Sequence, residues 1–265
     1  MKDSSTPREG WLYSDYMKNA PAAKADEFGA IFFHLRELLL KFCERIRTSK
    51  ISFQLFNVDA RKLGDYVGDV KFDRIEVSNL CRIQLLPLTL RYISNICDSA
   101  FVGPVASLQV FHTLLKSKAQ NPKATLLLLF INAAAQMDYA LNSSGNKAEM
   151  KYAMDQLQTY LPMSREKFSR IQASKQPAIY HPDLMLLTAT TPMFKDWDMY
   201  FDKYVEGMQI HQAAHMCGLK IKKKHTIIEP WPTRVCPTST KLEFDVLRAS
   251  GTSGYERYME LDRAE

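Results

Sequence analysis

The sequence predicts an α/β protein, with an open, mainly parallel sheet, flanking helices and a mostly helical C-terminal extension. Three observations carry this. Residues 51–79, ISFQLFNVDARKLGDYVGDVKFDRIEVSN, read as two strands joined by one short connection, each running into polar residues. Ala124 to Ile131, ATLLLLFI, is a continuous apolar run closed by Asn132, the pattern of a strand buried on both faces. Helical patterns alternate with these runs in the order strand, strand, helix, strand, helix, which points to a Rossmann-like sheet.

Taken in order, residues 1–24 are rich in Ser, Pro, Lys and Ala and predict a loose arm, with Trp11, Tyr13 and Tyr16 available to pack onto the body. A Rossmann-like core is expected over 25–160. It opens with a helix from Asp26 to about Thr48, because Phe28, Ile31, Phe32, Leu35, Leu39 and Phe42 recur at spacings of three and four. Arg45, Arg47 and Lys50 stand in or just past its last turn, where cations suit the helix dipole. Ile51 to Val58 alternates apolar and polar and predicts the first strand, ending on Asp59. Phe72 to Val77 predicts the second.

Between Asn79 and Pro104 the chain holds a near-repeat. Ser78-Asn79-Leu80-Cys81 returns as Ser94-Asn95-Ile96-Cys97, and the stretch between, RIQLLPLTLRYI, has no acid and a central proline. Two readings stay open: a short extra helix and turn, or an insertion over residues 82–95 left by an unspliced intron in the gene model. Val105 to Lys116 then predicts a helix, and Asn121-Pro122 a turn. Ala133 to about Tyr160 predicts a helix interrupted at Asn142-Ser143-Ser144-Gly145.

The extension over 161–265 begins with a half-formed capping box at Ser164 and Lys167, and an irregular connection leads into Leu184 to Leu187. A long helix after Pro192 carries an aromatic stripe of Phe194, Trp197, Phe201 and Tyr204 and stops at Gly218. A strand is expected at Thr226 to Glu229, a proline-rich loop through Pro237, a short helix near Leu242 to Leu247, and a polar tail with Tyr255 and Tyr258.

Composition narrows the function. The 265 residues are 46% hydrophobic and 24% charged, which is ordinary for a globular protein. No stretch reads as a signal peptide or a spanning helix, so the expected compartment is the cytoplasm and no membrane partner is expected. Five dispersed cysteines without a CxxC pair indicate buried thiols rather than disulfides or structural zinc. A net charge of +6 mildly favours an anionic partner such as RNA or a phosphorylated substrate, no DNA partner is expected, and Lys222, Lys223 and Lys224 are the phosphate-contact candidates.

His211 and His215 have metal-ligand spacing, but no HExxH motif or third ligand accompanies them, so no metal is expected. No Walker loop, GxSxG or GxGxxG is present, and no cofactor is expected. The carboxyl ends of the predicted strands hold the chemistry-bearing residues. Asp73 and Glu76 form a DxxE pair able to divide amine binding and proton transfer, and Asp59 would face the same crevice. Ser78 and Asn79 stand just beyond as nucleophilic or hydrogen-bonding groups.

The runs FDRIEVSN, ICDSAFVGP, LLKSKAQNPKATLLLLFINA, FDKYVEG and ASGTSGYERYME resemble a family of fungal proteins whose shared domain also resembles the N-terminal part of a dynein axonemal assembly factor. The resemblance covers roughly residues 50–260 apart from 82–95. The same region is similar to the second half of a class I methyltransferase domain, where an acid after one strand, here Asp59, would contact adenine. The glycine-rich first loop of that domain is missing. Asp73-x-x-Glu76 also resembles the last four positions of the DDxxE signature of fungal arginine-containing cyclodipeptide synthases, with Phe72 at the first Asp. That resemblance implies diketopiperazine formation from aminoacyl-tRNAs, with Asp73 and Glu76 catalytic in the pocket and Lys222 to Lys224 on the RNA side; it carries over no acyl-enzyme serine, so Ser78 as a catalytic candidate and Asp59 and Asn79 as substrate-binding candidates rest on their place at the strand ends. A shortened methyltransferase-like enzyme and a non-catalytic scaffold are the competing expectations.

Overall fold

A computed structural model describes residues 13–18, 26–78, 103–141, 147–161, 164, 166, 190–249 and 254–264. Expectations that fall elsewhere, including Asn79, the 82–95 segment and Leu184 to Leu187, lie outside them. The elements, in chain order, are helices α1 (Tyr13–Lys18), α2 (Glu27–Thr48) and α3 (Leu63–Val67), strand β1 (Arg74–Val77), helix α4 (Pro104–Phe111) and strand β2 (Thr125–Phe130). They continue with α5 (Ala133–Leu141), α6 (Lys147–Tyr160), α7 (Asp198–Gly207), α8 (Ile210–Met216), β3 (Leu219–Ile221), α9 (Lys241–Ala249) and β4 (Arg257–Arg263). They fall into two compact units, one of Met1–Phe56 with Val235–Thr252 and one of Asn57–Arg234 with Ser253–Glu265.

The second unit holds a four-stranded sheet in the order β1-β2-β4-β3. The fold is α/β as expected, but the sheet is small and mixed rather than mainly parallel. β1 and β2 run parallel, whereas β4 is antiparallel to both β2 and β3. The centre is apolar for a simple reason. All six residues of β2 are buried, and Leu126, Leu128 and Phe130 share a face with Ile75 and Val77 of β1 and Met259 and Leu261 of β4. Trp197, Phe201 and Tyr204 of the predicted aromatic stripe join the same core together with Tyr200, and Phe130 lies edge-on to Phe201 at 5.2 Å.

Several expectations are corrected. Ile51 to Val58 forms no strand: residues 51–57 are exposed and unpaired with any ladder, because alternation alone supplies no neighbouring edge. Tyr13 to Lys18 of the predicted arm is helical, and Tyr16 is buried with Ala30 and Ile31 of α2. The long helix after Pro192 is split into a 3₁₀ turn, α7 and α8, with Gln209 in the left-handed region at φ 53° where the axis breaks. Gly218 does follow the last turn with φ 63°. Thr226 to Glu229 is a bend rather than a strand, and the lysine-rich stretch supplies β3 just before it. The polar tail contains β4, a central strand. Helix α9 starts on a full capping box: Glu243 N–H donates to Thr240 Oγ1 at 3.2 Å and Glu243 Oε2 accepts from Thr240 N–H at 2.7 Å.

Gly254 leads into β4 with φ 84°, and a Cβ there would stand 3.0 Å from Met193 Cγ, Met193 N and Pro192 Cβ. Gly254→Ala combines backbone strain with a clash against main chain and is expected to destabilise by about 2–3 kcal/mol. Equilibrium urea unfolding against the parent checks it. An unchanged midpoint would show that the turn relaxes freely.

Candidate functional site

Side chains alternate across a strand, so the face of the sheet opposite the apolar core carries Arg74 and Glu76 of β1, Thr125, Leu127 and Leu129 of β2, Tyr258, Glu260 and Asp262 of β4, and Lys220 of β3. The register sets these in rows: Arg74, Thr125, Asp262 and Lys220 in one, and Glu76, Leu127 and Glu260 in the next. Ser78 follows β1 directly, one residue beyond its last paired position, Val77, while Tyr258 stands opposite Leu129. One face of the sheet is therefore an apolar core, and the other carries charged side chains around a buried middle of Thr125, Leu127, Leu129 and Glu260.

Its most constrained group is Glu260, 0% exposed. The loop after β3 folds back so that the backbone N–H groups of Thr226, Ile227 and Ile228 donate to the carboxylate at 3.0, 2.7 and 3.1 Å, and Thr226 Oγ1 adds a bond at 3.0 Å. Lys222 Nζ completes the set, donating to Glu260 Oε2 at 3.1 Å, Thr125 Oγ1 at 2.8 Å and Thr226 Oγ1 at 3.0 Å. Burial pushes the carboxyl up, but the three backbone donors and the ammonium more than offset it and hold Glu260 at about 2. His225 lies alongside, its Nδ1 3.0 Å from the Ile228 carbonyl oxygen, and burial lowers its pKa.

Lys222 is thus engaged inside the protein, whereas Lys220, Lys223 and Lys224 are exposed. Tyr258 is partly buried, and burial, Glu76 and Glu256 together raise its pKa, so the phenol keeps its proton. On the core face, Arg257 lies over the rings of Phe201 and Trp231 at 5.0 and 5.2 Å, and burial lowers it to about 10.

The three carboxylates expected in one crevice do not converge. Asp59 ends no strand. It caps the 3₁₀ turn Ala60–Lys62 and accepts from Arg61 Nη2 at 2.6 Å, and those Arg61 contacts hold it at about 2. This also engages the acid expected to contact adenine in a methyltransferase. Asp73 precedes β1, at the amino end of the parallel pair, where Lys116 Nζ at 2.8 Å and Asn121 Nδ2 at 2.7 Å bind it and lower its pKa. Strand parity places Glu76 on the opposite face from Asp73, exposed among the charged rows. Ser78 is partly buried at the carboxyl end of β1.

Glu260, His225, Thr226 and Tyr258 escaped the sequence reading. The available signal was the alternation in RYMELDR, with Met259 and Leu261 between Tyr258, Glu260 and Asp262. His211 and His215 are exposed on α8, and among the described residues no His, Cys, Asp and Glu group could hold a metal ion. No helix among those residues is long and apolar enough to cross a membrane. Comparison with protein families, curated proteins and solved structures finds no match to this chain.

Proposed function

We propose that the charged face of the sheet serves aminoacyl-tRNA-dependent acyl transfer of the cyclodipeptide-synthase type, centred on Glu76, Ser78 and Tyr258 rather than on the Asp73 and Glu76 pair. The observation that carries this reading is that Glu76 and Tyr258 share a face of the sheet near the carboxyl end of β1, with Ser78 directly after that strand, where ligands bind in open α/β sheets. Ser78 Oγ attacks the ester carbonyl of an aminoacyl-tRNA, Glu76 takes the hydroxyl proton, and the protonated Tyr258 phenol supplies one to the departing ribose oxygen. The amine of a second aminoacyl-tRNA then displaces Ser78, and attack of the first residue's amine on the remaining ester closes the ring and frees the second tRNA. Glu76 also suits the cation of an arginyl side chain. Exposed Lys220, Lys223 and Lys224 lie toward the other edge of the sheet, as point charges for RNA phosphates.

Expression in a host with ordinary aminoacyl-tRNAs, followed by mass analysis, should reveal an arginine-containing cyclic dipeptide. Ser78→Ala is expected to reduce it at least about 100-fold, given the usual weight of a nucleophile. Asp73→Ala should leave product formation nearly unchanged. A folded parent protein that makes no cyclic dipeptide would end this reading.

The non-catalytic reading has its own support, since Asp59, Asp73, Lys222 and Glu260 are all engaged in internal pairs. It predicts no cyclic product from the parent and only stability changes from Glu76→Ala and Ser78→Ala.

A further inference from the structure

His225 closes the loop after β3 in a way that depends on where its proton sits. The loop from Lys222 to Pro230 is tied to the main chain of β4 at both ends. Lys222 N–H donates to the Glu260 carbonyl oxygen at 2.8 Å, and Tyr258 N–H donates to the Pro230 carbonyl oxygen at 2.9 Å. Between them the His225 ring makes a third tie, because its Nε2 accepts the Glu260 backbone N–H at 3.4 Å. In a continued antiparallel ladder that N–H would go to a carbonyl of the opposite strand. Strand β3 stops at Ile221, and the ring takes the place of that carbonyl.

The partners fix the tautomer. A carbonyl oxygen can only accept, so Nδ1, 3.0 Å from the Ile228 oxygen, carries the ring's proton. A backbone N–H can only donate, so Nε2 is bare. The ring therefore fits the loop as a neutral imidazole. A second proton would go on Nε2 and point at the Glu260 N–H, setting one donor against another. The side chain is 6% exposed, so water cannot replace the lost bond while the ring stays in place.

The surrounding charges pull in both directions. Glu260 of β4, with Oε1 3.9 Å from Nδ1, and Glu229 of the loop favour an imidazolium, and Arg257 of β4 opposes it. Glu260 is a weak counter-ion for the ring, because Lys222 Nζ at 3.1 Å and three loop N–H groups already hold its carboxylate. Burial outweighs the Ile228 carbonyl and the two acids and lowers the ring's pKa from the ordinary 6.5.

We propose that His225 is an acid-released latch, which holds the loop carrying Lys223 and Lys224 against β4 as a neutral ring and lets it go when Nε2 takes a proton. Opening returns the ring to water, where it regains its ordinary affinity for a proton, so the open state binds more protons than the closed one. Closure is complete above about pH 6.5 and weakens as the pH falls below it, by up to about tenfold per pH unit. Glu260 stays ionised throughout that window, so its own bonds to the loop persist and the loop loosens without unfolding. This inference stands on the loop geometry and is independent of the acyl transfer proposed for the sheet.

Nitrogen-15 NMR of the full chain tests it. The neutral His225 ring should carry its proton on Nδ1 and should titrate below 6.5. Between about pH 7.5 and 5.5, protection of the Glu260 amide against hydrogen exchange, corrected for the intrinsic rate, should fall at least about threefold. The His225→Gln side chain can accept the same N–H without titrating, so the protection should change by less than about 1.5-fold over that range. A neutral ring protonated on Nε2, a titration at or above 6.5, or an equal fall in the parent and His225→Gln overturns the inference. So does constant protection of Glu260 in the parent, whose readings decide the matter even if the variant does not fold.

Discussion

Glu260→Ala is expected to cost the fold about 3–5 kcal/mol, a large part of the about 5–15 kcal/mol that holds a typical domain together. The loss is not that of one ion pair. Three backbone N–H groups of the loop, the Thr226 hydroxyl and the Lys222 ammonium would all lose a fully buried acceptor. Guanidinium unfolding of the parent and variant measures it. A second substitution, Lys222→Met, should recover part of the loss, since it removes the orphaned cation and leaves only the amide groups and the Thr226 hydroxyl without their acceptor. A loss below about 1 kcal/mol would mean that water reaches the carboxylate site.

The same residue sets a pH dependence whose sign is fixed. Its folded pKa, about 2, lies below the ordinary 4.5, so the native state favours the ionised form. Stability from this group is complete above about pH 4.5 and is lost as the pH falls toward 2, for a total of about 3 kcal/mol. Asp59 and Asp73 are also lowered. The difference between parent and Glu260→Gln unfolding curves across that window therefore isolates the buried carboxylate. Parallel curves would show that it is not ionised inside the fold.

Phe130→Ala should be of similar size, about 3–5 kcal/mol, for a different reason. The ring is 0% exposed at the end of the central strand, edge-on to Phe201 at 5.2 Å and to Tyr204 at 5.9 Å. Truncation removes both aromatic contacts and leaves a void that close-packed neighbours on β2 and α7 can only partly fill. Phe130→Leu keeps most of the volume and is expected to lose about 1–2 kcal/mol. Thermal and denaturant unfolding separate the two variants, and equal losses would rule out the cavity as the main cost.

Much of the fold was legible where burial leaves a periodic trace. The continuous run of β2 follows from local pattern, and so does α2, although most of the residues whose spacing announces it are exposed. What failed depended on partners far along the chain. Ile51, Phe53 and Leu55 alternate as a strand would, but a strand exists only where another offers its edge, and none among the described residues does. RYMELDR looks like a polar tail because its glutamate is charged, yet that charge is the reason it can be central: donors at 222 and 226–228, more than thirty residues earlier, satisfy it. The expected three-acid crevice failed similarly. Asp59 found its cation two residues away, and Asp73 found Lys116 and Asn121 on a loop whose approach no local spacing announces. Ser78 and Glu76 were readable as residues at the end of a strand, but Tyr258 could join them only through the register of β4.

That register also governs when the molecule can assemble. β2 is made by residue 130, but its antiparallel neighbour begins at Arg257, and β3 pairs only with that late strand. During synthesis the apolar run of β2 therefore waits through more than a hundred further residues before its second edge is closed. Contacts this distant in sequence slow folding, and an unpaired edge of six buried residues invites pairing with another nascent chain. Ribosomes stalled before residue 257 should hold a chain whose sheet is half built and sticky, making the interval between β2 and β4 the period in which this protein most needs a chaperone.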